Sequence, residues 1–133
     1  MALVCDTGAI YALFDADDLH HAECKATVEN ERGPLWLPVT LLVEIDYLLT
    51  TRLGADAALD FLESIDAGAF TLVAVSIEEL PRCRSLMAQY RDLPLGLADA
   101  SVVATAERLQ NQRVFTVDQR HFRAVRPLAS TTL

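Results

Sequence analysis

Short apolar segments that alternate with longer helix-forming stretches most constrain what this sequence can fold into. Four such segments have the character of buried strands, at residues 2–5, 35–37, 70–75 and 113–117. They are apolar almost throughout rather than at every second position, which is typical of strands that are covered on both faces. The pattern therefore predicts an α/β fold, a three-layer α/β/α sandwich with a mostly parallel central sheet.

Helix-forming stretches occupy most of the chain between these segments. Helices are expected at residues 7–14, 17–32, 41–53, 56–65, 76–91 and 97–110. Thr40 is expected to cap the third helix, and Ser76 begins a capping-box sequence at the start of the fifth. Pro81 stands inside the fifth helix, so its first turn is expected to be irregular. After the last strand, a turn of helix at 119–122 and an edge strand at 124–126 are expected.

The length and charge of the chain limit its function. A chain of 133 residues predicts a single domain, residues 1–133. The formal net charge is −8, and it is uneven: residues 1–66 carry 3 basic and 13 acidic side chains, whereas residues 67–133 carry 8 and 6. An acidic protein binds nucleic acid poorly by charge alone. Any phosphate must therefore be met locally, by arginines or by a metal ion.

Nothing in the sequence predicts a membrane segment. Acidic residues such as Asp6 and Asp99 interrupt the best apolar runs before they reach the roughly 20 residues of a spanning helix. The N-terminal stretch lacks the basic start of a secretion signal. Three cysteines cannot all pair, and none has C-x-x-C spacing, which predicts reduced thiols in a cytoplasmic protein.

Four carboxylates stand at positions where a folded α/β protein rarely keeps them without a reason. Asp6 follows the first strand and Asp118 follows the fourth, so parallel strands would bring both to the same edge of the sheet. Glu44 lies close to the apolar stripe of the helix at 41–53, and Asp99 lies in the first turn of the helix at 97–110. Each has a structural alternative: a helix-terminus acid for Asp6 or Asp99, a turn for Asp118, and an arginine pair for Glu44.

Taken together, these acids favour a metal site over four separate structural roles. Carboxylates that converge on one crevice repel one another unless a cation holds them. Oxygen ligands without His or Cys suit Mg²⁺ or Mn²⁺ rather than zinc. Because Mg²⁺ keeps several waters and binds substrate phosphate, such a group indicates phosphodiester chemistry by metal-activated water.

Several stretches of the chain resemble a known family. They are Asp6-Thr7-Gly8 near the start, Glu44 on a mid-chain helix, LADASVVATA around Asp99, and TVDQRHF around Asp118. This combination resembles a PIN domain, and within that family it is similar to the toxin half of bacterial VapBC toxin–antitoxin pairs. The resemblance implies a Mg²⁺- or Mn²⁺-dependent endoribonuclease, a hydrolase of RNA. Its implied metal and catalytic residues are Asp6, Glu44, Asp99 and Asp118, with Thr7 and Thr116 in support.

The same resemblance implies partners. Such toxins cleave RNA, usually dimerise, and are inhibited by a small cognate antitoxin protein that occludes the site. Arg120, two residues after Asp118, is a candidate contact to RNA phosphate. A non-catalytic RNA- or protein-binding module of PIN shape remains the alternative, and metal-dependent cleavage would separate the two.

Overall fold

The helices and strands are given by a computed structural model that describes residues 2–93, 95–110 and 113–118. In chain order they are β1 (Leu3–Cys5), α1 (Thr7–Phe14), α2 (His21–Asn30), β2 (Leu35–Pro38), a 3-10 helix (Val39–Leu41), α3 (Leu42–Leu53), α4 (Ala55–Asp66), β3 (Thr71–Val73), α5 (Leu80–Gln89), α6 (Leu97–Leu109) and β4 (Arg113–Phe115).

The four strands form one parallel sheet in the order β3-β2-β1-β4. Leu3 of β1 lies opposite Leu35 of β2 on one side and opposite Arg113 of β4 on the other. A strand with a neighbour on each side has every ladder group paired, and all three residues of β1 are buried. The predicted α/β/α class with a parallel sheet is confirmed.

The core is built from the apolar stripes of the helices against this sheet. Its largest fully buried side chains include Phe61, Ile10, Leu37, Ile45 and Leu49. Ile45 and Leu49 are four residues apart, so they lie on one face of α3 and pack inward together. The sheet edge at the carboxyl ends of β1 and β4 is thereby held between helices.

Two predicted helix starts are wrong. The second helix begins at His21 rather than at 17, because Asp15 and Asp18 accept the backbone N–H groups of Asp17 and His20 and hold this stretch in turns. The third begins at Leu42, and Thr40 does not cap it. Thr40 lies instead within the 3-10 helix, and its hydroxyl group contacts another part of the chain.

The start of the fifth helix differs from the prediction for a reason that the sequence contains. The helix was expected from 76, but α5 begins at Leu80, with Pro81 in its first turn, where a missing N–H costs nothing. Half of the expected capping box forms, since the backbone N–H of Ser76 donates to Glu79 Oε1 at 3.4 Å. The expected irregularity around Pro81 is therefore a later helix start.

At the edges of the sheet the strands are shorter than expected. β3 covers Thr71–Val73 instead of 70–75, and among the described strands it pairs with β2 alone. β4 ends at Phe115 instead of at 117. The helical turn expected at 119–122 and the strand expected at 124–126 lie outside the described residues. Within the described ranges, no helix is both long and apolar enough to cross a membrane.

Candidate active site

Asp6 lies where β1 gives way to α1, and its carboxylate is buried. The backbone positions the residue from both sides: its N–H donates to the carbonyl oxygen of Phe115 at 3.0 Å, and its carbonyl accepts the N–H of Ile10 at 3.2 Å. Asp6 is the N-cap residue of α1, yet its side chain makes no capping hydrogen bond. The backbone N–H of Thr7, at the start of α1, nevertheless lowers the pKa of this carboxylate, so the helix start stabilises its charge in part.

A chain of hydrogen bonds joins Asp6 to the segment that follows β4. Thr116 Oγ1 donates to Asp6 Oδ2 at 2.9 Å, and the backbone N–H of Asp118 donates to Thr116 Oγ1 at the same distance. The threonine hydroxyl thus fixes the orientation of the buried carboxylate and the course of the chain toward Asp118. The supporting role of Thr116 at a metal site stays a prediction.

The pKa of Asp6 reports its surroundings. Burial, as the largest cause, raises this pKa from its ordinary value of 3.8 to about 6. The hydrogen bond from Thr116 acts in the opposite direction, while the negative charges of Asp99 and then Glu44 raise the pKa further. Two of the other three predicted acids are therefore close enough for their charges to act on Asp6.

Asp99 occupies the first turn of α6, as expected, and is half-buried. Its Oδ2 accepts the backbone N–H of Gly96 at 3.4 Å, a long bond that caps the helix weakly. A carboxylate here is stabilised by the positive end of the helix dipole. The capping role and a role at the site are compatible, because the charge of Asp99 also reaches Asp6.

The side chain of Glu44 is more open than the apolar stripe suggested. It lies in the first turn of α3, but Ile45 and Leu49 take the buried positions and Glu44 is exposed to solvent. Among the ion pairs between described residues, none includes Glu44, so the alternative of an arginine partner is not seen there. Its electrostatic effect on Asp6 places it at the rim of the site.

The other predicted residues differ in how closely they are tied to Asp6. Thr7 is buried beside it, and its hydroxyl oxygen has no hydrogen-bond partner among the described residues. Asp118 is exposed and joined to Asp6 through its backbone and Thr116. Arg120 lies outside the described residues. In the ranges that the structure covers, no three His, Cys, Asp or Glu side chains are grouped tightly enough to hold one ion directly.

A close approach that the sequence does not reveal brings the start of α1 against the segment after β4. A Cβ atom at Gly8 would lie 2.8 Å from Val117 Cγ2, closer than real side-chain contacts allow. Glycine at this position lets α1 lie against residues 116–118. The only sequence signal was the glycine that follows Asp6-Thr7, and its contact is more than a hundred residues away.

The donor set fits a hard divalent cation. Its members offer carboxylate oxygens, which Mg²⁺ and Mn²⁺ prefer, and a cation would stabilise the ionised form of Asp6, which burial and then its acidic neighbours disfavour. Because Mg²⁺ keeps several of its waters, it needs direct contact with only one or two carboxylates and reaches the others through water. Acids that are near one another without being tightly grouped suit that mode of binding.

Comparisons with known proteins show to which family the chain belongs. A family model for the PIN domain matches residues 3–127. The chain is 33% identical over 126 residues to Ribonuclease VapC26 of Mycobacterium tuberculosis (strain ATCC 25618 / H37Rv), and the alignment covers 95% of this chain and 93% of that protein.

Two solved structures share the fold. VapC20 of Mycobacterium tuberculosis, a Sarcin-Ricin loop cleaving toxin, has a TM-score of 0.84 at 18% identity and covers 92% of this chain and 94% of its own. VapBC2 from Rickettsia felis, solved with a DNA fragment from its promoter, has a TM-score of 0.70 at 13% identity over 98% of each chain. These identities are low, so the two structures show a common fold alone. The family match across nearly the whole sequence, together with the curated relative, shows that the chain belongs to the PIN-domain family.

Proposed function

We propose that this protein is a metal-dependent endoribonuclease, the toxin of a type II toxin–antitoxin pair, with residues 1–133 acting as one domain. The observation that carries the proposal is the buried Asp6 carboxylate, whose pKa is raised mainly by burial and further by the charges of Asp99 and Glu44. A buried carboxylate lowers the stability of the folded protein unless a bound cation compensates its charge, so its presence indicates a ligand site. The identity to a protein named as a ribonuclease supports RNA as the substrate.

In this proposal Asp6, Glu44, Asp99 and Asp118 hold Mg²⁺, with Mn²⁺ as a possible substitute. When bound, the metal supplies a water of lowered pKa and neutralises charge on the phosphate. Asp6 gives the fixed point of the site, because Thr116 holds one of its oxygens in place. Glu44, exposed at the rim, would offer a further carboxylate oxygen to the cation.

Two further groups have roles in handling substrate and charge. The Thr7 hydroxyl, buried and without a partner among the described residues, is available to donate to a water or a phosphate oxygen. Arg120 is proposed as a contact to RNA phosphate. Such a local cation matters because the protein as a whole is acidic and would otherwise repel RNA.

The proposed regulator is a small cognate antitoxin that covers the site. The fold is shared with VapBC2 from Rickettsia felis and with FitAcB from Neisseria gonorrhoeae, the latter with a TM-score of 0.65 at 16% identity over 100% of this chain and 97% of that one. The strongly acidic first half suits a basic antitoxin segment. We place the action of the protein in the cytoplasm, a reducing compartment that agrees with its three free, buried cysteines.

A homodimer is proposed through the outer face of α5. An open groove of about 840 Å³ lies there, lined by Leu80, Met87 and Leu97 among other apolar side chains and by two arginines, Arg84 and Arg91. The segment 77–91 also has opposite charges at its ends. In an antiparallel pairing of two copies, Glu78 of one would meet Arg91 of the other, so the face is self-complementary in charge.

Cleavage of RNA by the purified protein tests the enzymatic proposal. The reaction is followed with Mg²⁺, with Mn²⁺ and with a chelator, and the Asp99→Asn variant is prepared in the same way to control for contaminating ribonucleases. The matched control is Asp46→Asn, which removes an exposed acid from the same helix as Glu44.

We expect cleavage that requires metal, is kept in Asp46→Asn and falls to the buffer level in Asp99→Asn. Equal cleavage by wild type and Asp99→Asn would mean contamination or a different site. Absence of cleavage for every RNA, with the antitoxin removed, would favour the alternative of a non-catalytic binding module.

A further inference from the structure

A hydrogen bond between two hydroxyl groups joins segments that are far apart in the sequence. Thr40 Oγ1 and Ser101 Oγ lie 2.6 Å apart, although 61 residues separate them. Ser101 is completely buried and Thr40 is half-buried. A hydroxyl group placed in the interior costs free energy unless it is hydrogen-bonded, so this contact stabilises the approach of the two segments.

The direction of the bond follows from the number of protons available. Ser101 Oγ also lies 2.7 Å from the backbone carbonyl oxygen of Ala98, which can only accept. Ser101 has one hydroxyl proton, and it goes to Ala98. Thr40 must then be the donor to Ser101. The result is a directed chain from the Thr40 hydroxyl through the Ser101 hydroxyl to the Ala98 carbonyl.

Both ends of this series of hydrogen bonds lie next to an acid of the candidate site. The Ala98 carbonyl belongs to the peptide bond that joins Ala98 to Asp99. At the other end, Thr40 lies in the 3-10 helix that runs directly into α3, and Glu44 follows four residues later, about one helical turn on. The two hydrogen bonds therefore connect the segment that contains Glu44 to the peptide bond that precedes Asp99.

We propose that Thr40 and Ser101 are positioning residues that set the separation between Glu44 and Asp99, and thereby the affinity of the site for a divalent cation. The inference rests on the proposed function, since it concerns the same metal site. Mg²⁺ demands near-octahedral geometry at short distances, so a small shift of one acid-bearing helix against the other is enough to weaken its binding. Residues that orient metal ligands typically affect affinity without contacting the metal.

The test measures Mg²⁺ binding to the RNA-free protein by calorimetry in wild type and in four variants, of which Ser101→Ala is the fourth. Thr40→Val removes the donor hydroxyl at nearly constant volume, and Thr40→Ser keeps it. The matched control is Thr105→Val, which removes a fully buried hydroxyl one turn beyond Ser101 on α6 whose oxygen has no hydrogen-bond partner among the described residues. Circular dichroism and thermal unfolding of the metal-free proteins confirm that each variant is folded.

We expect Thr40→Val to bind Mg²⁺ roughly 10-fold more weakly, Thr40→Ser to bind as wild type does, and Thr105→Val to be unaffected. In cleavage assays, the Mg²⁺ concentration for half-maximal rate should rise in Thr40→Val while kcat at saturating Mg²⁺ changes less. Ser101→Ala, which removes the link itself, should behave as Thr40→Val does.

Two results would overturn the inference while leaving the proposed function standing. One is unchanged Mg²⁺ affinity in folded Thr40→Val. The other is equal weakening by Thr105→Val, which would mean that α6 loosens generally when it loses a hydroxyl. If the wild-type protein itself binds no divalent cation, the proposed function and this inference both fail.

Discussion

At the scale of single residues, Asp6 combines a structural cost with a chemical use. Its side chain is 6% exposed, and burial raises its pKa to about 6, so near neutral pH the folded protein must keep an ionised group in poor surroundings. The hydrogen bonds from the Thr116 hydroxyl group and from the Thr7 backbone compensate only in part. A cation between Asp6 and its acidic neighbours would remove the rest of the penalty.

The sign of this penalty gives a prediction about pH. Because the pKa of Asp6 is raised in the folded state, its contribution to stability is fully present below the ordinary value of 3.8 and is lost as pH rises through about 6. Metal-free Asp6→Asn should therefore match wild type in acid and exceed its free energy of unfolding by about 2–3 kcal/mol at neutral pH. Denaturant unfolding in chelator from about pH 4 to about pH 8 measures this.

Metal should reverse the order of the two proteins. A ligand that binds only the folded state stabilises it, so saturating Mg²⁺ should raise the stability of wild type and leave Asp6→Asn almost unchanged. Asp46→Asn, an exposed acid on α3, should follow wild type at every pH and metal concentration. Parallel stability curves for wild type and Asp6→Asn in chelator would show that burial of Asp6 carries no such cost.

At the scale of elements, the contact of α1 with the segment after β4 holds Asp6 and Thr116 together. Gly8→Ala would place a Cβ atom 2.8 Å from Val117 Cγ2. Overpacking of this kind costs about 1–3 kcal/mol, and the displaced segment would move Thr116 away from Asp6. We expect Gly8→Ala to lose stability and most of its cleavage activity.

A double variant separates steric clash from other effects of Gly8. Val117→Ala removes the atom that the new Cβ would meet, so Gly8→Ala with Val117→Ala should recover stability relative to the simple sum of the two single changes. Chemical unfolding and initial cleavage rates of all four proteins complete the cycle. Strict additivity would show that the two residues do not meet.

A second contact between elements joins α5 to α6. Arg82 forms two hydrogen bonds to Glu107, at 2.8 and 2.7 Å, and the carboxylate side chain is only 9% exposed. Arg82→Ala would leave that carboxylate without its fork-shaped partner, at a cost of about 2 kcal/mol. Arg32→Ala, at an exposed arginine that follows α2, should cost little in thermal unfolding. Equal effects of the two changes would mean that the Arg82 pair contributes nothing specific.

At the scale of the whole molecule, the outer face of α5 is the proposed surface between two copies. Leu80→Asp places a charge in its apolar groove and should convert a dimer to a monomer, as measured by light scattering after gel filtration. The matched control is Leu59→Asp, at a leucine of α4 that is 62% exposed, and it should leave the mass unchanged. A wild-type protein that stays monomeric at high concentration would contradict the dimer. A Leu80→Asp variant that stays dimeric would place the interface on another surface.

Much of the fold could be predicted because it depends on the pattern of neighbouring residues along the sequence. Continuous apolar runs indicated a parallel sheet, and the order of strands and helices agrees with the structure. Errors occurred where side chains compete with helix formation, as Asp15 and Asp18 do before α2, or where a residue has a distant partner, as Thr40 does. Neither the competing side chains nor the distant contact changes the spacing of the apolar residues from which the helices were inferred.

The candidate site divides in the same way. By itself the sequence determined which acids stand at strand ends and first helical turns, because those positions depend on neighbours along the chain. Only the tertiary structure decided that Asp6 is buried while Glu44 is exposed, that Gly8 meets Val117, and that Thr40 bonds Ser101. Burial and long-range contact depend on how elements pack in space, and residues more than sixty positions apart leave no local pattern to read.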